Sequence, residues 1–86
     1  MPATVISPVP VPSVFLPQPN DTRETRRMRA TARVLFAFIS SLERGRRYPE
    51  LIAATHYNRL VADGVNLRIC AMVRDGILVW LKGESR

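Results

Sequence analysis

Apolar residues recur along the middle of this chain at the spacing of an α-helix. From Asn20 to Gly45, in "NDTRETRRMRATARVLFAFISSLERG", Met28, Ala32, Leu35, Phe36, Ile39 and Leu42 fall on one face at a 3.6-residue period. Arg23, Arg26, Arg27, Arg29 and Arg33 spread over the opposite side. Asp21 followed three residues later by Glu24 fits a capping box, and Gly45 after the basic Arg44 fits a stop. The spacing predicts one long helix whose first half is basic. Val34 and Phe38 widen its apolar surface beyond a single stripe, so the second half is expected to meet more than one element or a second chain.

In the next segment, "RRYPELIAATHYNRLVADG", Pro49 suits the first turn of a helix and Glu50 its positive end. Leu51, Ile52, Ala54, Tyr57, Leu60 and Val61 scatter around the wheel. Either this helix breaks near His56 into two short ones or it is buried on several sides, and Asp63-Gly64 ends it. The run from Val65 to Lys82, "VNLRICAMVRDGILVWLK", carries two patterns at once. Val65, Leu67, Ile69, Ala71 and Val73 alternate with Asn66, Arg68, Cys70, Met72 and Arg74, which with Asp75-Gly76 reads as a β-hairpin. Val65, Ile69, Met72 and Val73 also make a helical stripe that Gly76 would stop. The residues after Gly76, "ILVWLKGE", are β-branched and aromatic and read as strand on either pattern.

The first twenty residues differ in kind. They hold six of the seven prolines and no charged side chain, whereas all thirteen basic and seven acidic residues lie from Asp21 onward. This places a boundary near Asn20, with a proline-rich flexible arm at 1–20 and a small basic globular domain at 21–86. The arm reads either as a disordered tail or as a docking segment whose Val9, Val11, Val14, Phe15 and Leu16 order on a protein partner or a second subunit. Pro8, Pro10, Pro12, Pro17 and Pro19 interrupt any signal-peptide helix, no basic residue precedes them, and no apolar run of about 20 residues could span a bilayer. A cytoplasmic protein without membrane contact is expected.

Charge narrows the function classes. The chain carries a net +6, all of it in the domain, and should attract polyanions. Arginine outnumbers lysine twelve to one, a bias that a GC-rich genome produces without selection for guanidinium chemistry, so the position of the charge matters more than its amount. A single cysteine, Cys70, excludes an internal disulfide, and neither it nor the lone His56 has neighbours at metal-ligand spacing. Cys70 reads as a small core residue and His56 as a structural histidine. No nucleophile-base pair, phosphate-binding glycine loop or paired carboxylates are present, so neither an enzyme nor a cofactor is expected.

The run "LVADGVNLRICAMVRDGILVWLKG" resembles the helix, turn, second helix and strand of small phage excisionases and related winged-helix or MerR-like DNA-binding proteins. That resemblance implies Asn66, Leu67 and Arg68 near bases and Arg74 near a phosphate. The resulting expectation is an α+β, mainly helical domain of helix-turn-helix or winged-helix type with a C-terminal strand or hairpin. Its function would be that of a small DNA-binding regulator, a repressor or an excisionase-like or architectural factor of a phage, plasmid or other mobile element. Arg23, Arg26, Arg27, Arg29, Arg33 and Arg74 would neutralise phosphates on double-stranded DNA, and Asn66 and Arg68 would enter a groove. A homodimer is expected to bury Val34, Phe38, Leu78 and Trp80, because a strand at 77–81 would be apolar on both faces. The alternative is a small protein-binding inhibitor or adaptor that uses the arm and the apolar C-terminal strand.

Overall fold

The computed structural model describes residues 11–83. After a short 3-10 turn at Ser13–Phe15 come three helices, α1 (Arg23–Leu42), α2 (Pro49–Ala62) and α3 (Leu67–Lys82). There is no strand among the described residues, which corrects the α+β expectation to an all-helical fold. The C-terminal strand or hairpin does not form. α3 runs through Asp75-Gly76 without interruption, because the helical stripe of Cys70, Val73 and Ile77 continues past the glycine. Those three side chains are fully buried, and the tertiary contacts they make override the local β-preference of Ile77 to Leu81.

α3 is the central element, packed against α1, α2 and the 3-10 turn, while α1 and α2 do not approach each other closely. Gly76 is a hole rather than a stop. The Phe15 ring fills the space where a side chain would start: a Cβ at position 76 would lie 2.3 Å from Phe15 Cζ. Phe15 is 2% exposed and its ring centre lies 5.0 Å from that of Phe36, which in turn meets Trp80 edge-on at 5.9 Å. The flexible arm expected over 1–20 is therefore a fitted strap in its second half, from Val11 to Asn20, whereas residues 1–10 lie outside the described residues.

Hydrogen bonds hold the strap. Arg29 on α1 donates from Nη1 to the Val14 carbonyl at 2.7 Å and from Nε to Asp21 at 2.7 Å. Gln18 donates from its amide to the carbonyls of Ser13 and Leu16. Asp21 is consequently not the cap of α1. Thr22 takes that position, its hydroxyl accepting from the Thr25 backbone N–H.

α2 is one unbroken helix, and its untidy wheel has a simple cause. Only Ala53 and Leu60 are buried, while the apolar Leu51 and Val61 face outward. It ends in a Schellman turn, in which Gly64 at φ 86° lets Val65 N–H reach the Leu60 carbonyl and Gly64 N–H reach that of Val61. Asn66 then caps α3 through its side-chain oxygen. The paired helices lie side by side, because Lys82 at the end of α3 bonds Glu50 at the start of α2 at 2.8 Å. In a helix-turn-helix crossing near a right angle those ends would stand about 30 Å apart, so α2 and α3 form an antiparallel helical hairpin instead.

Candidate nucleic-acid interface

The distribution of ion pairs defines the charged surface. Five of the six acidic side chains among the described residues have a basic partner. These are Asp21 with Arg29, Glu43 with His56, Glu50 with Lys82, Asp63 with Arg59 and Asp75 with Arg74. Eight arginines have no acidic partner within 4.0 Å there. Arg23, Arg26, Arg27 and Arg33 project from α1, Arg44, Arg46 and Arg47 lie in the loop to α2, and Arg68 stands at the start of α3, all exposed. On α1, Arg26 and Arg33 are two turns apart on one side, and Arg23 and Arg27 are one turn apart beside them. The structure thus leaves four guanidinium groups on the solvent side of one rigid helix.

Other residues expected at a DNA interface have internal work. Arg29 is a strap anchor: its bonds to Asp21 push its pKa further up and hold the Asp21 carboxyl below the ordinary aspartate range. Gln18 N–H helps by donating to the same carboxylate. The Asn66 oxygen accepts from the N–H groups of Arg68 and Ile69 as the α3 cap. Arg74 lies over the Tyr57 ring at 5.1 Å and bonds Asp75. The outward stripe of α3 consists of Arg68, Asp75, Val79 and Lys82, which is short of the donors that read base edges.

The expected interface residues also part company. Val34 and Phe38 are 68% and 63% exposed, and Leu42 continues the same stripe. Leu78 and Trp80 are instead half-buried against the core, because their segment is helix. Beside the stripe a groove of about 380 Å³ opens between α1 and α2, walled by Leu35, Phe38, Ile39 and Leu42 on one side and Leu60 on the other. His56 closes part of it, meeting Glu43 at 2.8 Å and holding the Glu43 carboxyl below the ordinary glutamate range. Among the described residues no group of three or more His, Cys, Asp or Glu could hold a metal ion, and no helix is long and apolar enough to cross a membrane. Burial raises the Cys70 thiol pKa above its ordinary value.

Sequence reasoning passed over the loop "ERGRRYP". Its signal, three arginines within four positions next to a tyrosine, falls outside the helical periodicity on either side. No known family model matches the chain, no curated protein matches it, and no solved structure matches it.

Proposed function

We propose that the protein is a small nucleic-acid-binding factor of the cytoplasm that holds double-stranded DNA by phosphate contacts and regulates by occupying or bending its site. One observation carries this reading: among the described residues five acids are consumed in internal pairs while eight arginines stay exposed with no acidic partner. Four of them share one face of α1, and a rigid row of guanidinium groups suits the regular spacing of backbone phosphates. The α3 stripe is poor in base-reading groups, which favours backbone and shape recognition over direct readout.

The test is a fluorescence anisotropy titration against a mixed-sequence duplex. Arg26→Ala with Arg33→Ala should weaken binding on every sequence alike, while the paired Arg59→Ala should change little. Equal affinity of all three proteins would refute the assignment of α1 as the contact surface.

A second reading, a protein-binding adaptor, is favoured by the exposed row of Val34, Phe38 and Leu42 beside the groove. Helix faces of this kind take up an amphipathic helix of a partner or of a second copy. The two readings are compatible, since a two-fold dimer would place two basic helices on one duplex.

A further inference from the structure

The loop between α1 and α2 combines charge with an exposed ring. Arg44, Arg46 and Arg47 are exposed and lack acidic partners, and Tyr48 is 68% exposed. Tyr48 is also the one non-glycine residue at positive φ among the described residues, at φ 58° and ψ 58°. Bulky side chains rarely adopt that left-handed conformation, and here the ring stands outward without an aromatic partner among the described residues. Arg46 lies over a second ring, its guanidinium 4.9 Å from the centre of the Trp80 ring. A guanidinium placed over one ring still has an outer side to offer another planar group.

We propose that this loop binds single-stranded nucleic acid, with an unpaired base stacking on Tyr48 and the adjoining phosphates held by Arg44 and Arg47. Arg46, braced on Trp80, offers the second stacking surface. Exposed aromatic rings interleaved with arginine are the ordinary means of binding single strands, because every base has a π-face and every nucleotide a phosphate. Duplex DNA keeps its bases stacked on each other and has none to give to Tyr48. The inference extends the proposed nucleic-acid function by separating a duplex surface on α1 from a single-strand surface on the loop.

The experiment uses the full chain with labelled dT10, labelled U10 and a mixed duplex, followed by anisotropy. Trp80 is the only tryptophan, so its fluorescence reports on Arg46 and the loop during the same titrations. Wild type should bind dT10 or U10 with a change in Trp80 emission, and a preference between the two identifies DNA or RNA as the natural strand. Tyr48→Ala should weaken single-strand binding by roughly tenfold and leave the duplex within about twofold. Tyr48→Phe should retain the affinity. Tyr48→Asn, a residue that tolerates the left-handed conformation, should raise the melting temperature yet lose single-strand affinity, so that a folding defect cannot imitate the result.

Single-strand binding that is absent, or unchanged in Tyr48→Ala, overturns the inference. If duplex binding meanwhile still responds to Arg26→Ala with Arg33→Ala, only the loop assignment fails. If neither strand form binds, the nucleic-acid reading fails with it.

Discussion

Gly76→Ala reverses the usual sign of a helical glycine substitution, and the reversal measures the fit of the strap. In a free helix interior the change gains about 1 kcal/mol, since alanine is the better helix former. Here the added Cβ would lie 2.3 and 2.4 Å from Phe15 Cζ and Cε2, where carbon atoms in contact need about 3.5–4.0 Å. The ring cannot simply slide, because Phe36 stands 5.0 Å away and Arg29 fixes the Val14 carbonyl just before it.

Expelling the ring forfeits most of what a Phe→Ala truncation loses, about 3–5 kcal/mol. After subtracting the helix-propensity gain, Gly76→Ala should destabilise the protein by about 2–4 kcal/mol. For a domain of this size that lowers the melting temperature by at least about 8 °C. Urea and thermal unfolding followed by far-ultraviolet circular dichroism would measure it. In a Phe15→Ala background the same substitution should instead stabilise by about 1 kcal/mol, giving a double-mutant cycle with opposite signs on its two arms. Gly76→Ala that raises the melting temperature of the otherwise wild-type chain would refute the packing of Phe15 on α3.

Three further outcomes follow from the same structure. Deletion of residues 1–20 removes Phe15 and uncovers Gly76 and Phe36, so the remaining chain should lose about 3–5 kcal/mol, visible as a lower urea midpoint; an unchanged midpoint would contradict this. Asp21 has a folded pKa below its ordinary 3.8 because Arg29 and the Gln18 N–H bond its charged form, so its contribution is fully present above that value and is lost as pH falls through the lower folded one. Asp21→Asn should flatten the acid limb of the stability curve measured by urea midpoints from pH 2 to 6, leaving the slope due to Glu43 and Glu50, whose pKa values are also lowered. Phe38→Ser should leave stability nearly unchanged, since the ring is mostly exposed, yet should abolish self-association in sedimentation equilibrium if Val34, Phe38 and Leu42 face a second copy; a dimer that persists would place the contact elsewhere.

How much of this was legible in the sequence depended on whether the deciding contact was local. The face of α1 could be read because Met28, Ala32, Phe36 and Ile39 repeat at one period and all enter the one hydrophobic core. Val34 and Phe38 were legible as surplus apolar width but not as surface: no second element among the described residues covers them, and they stand 68% and 63% exposed. Gly76 misled because its reason lies about sixty residues away in Phe15, and no local window contains both. The strand expected after it rested on the β-preference of Ile77, Val79 and Trp80, which three helices packed together overrule. At the candidate site, the number of arginines was plain and their availability was not. Arg29 is withdrawn by Asp21, Arg74 is laid over Tyr57 and the Asn66 oxygen is spent on a cap, all consequences of folding.

The central claim is that unpaired arginines, concentrated on α1, bind nucleic-acid phosphates, and the salt dependence of duplex binding tests it most directly. Binding constants for a mixed-sequence duplex, measured by anisotropy from about 25 to 200 mM salt, give a slope of about −0.9 per phosphate neutralised. The four exposed arginines of α1 should produce a slope of about −3 to −4, reduced by about 2 in Arg26→Ala with Arg33→Ala. A slope near zero, or no measurable binding at the lowest salt, would contradict the claim.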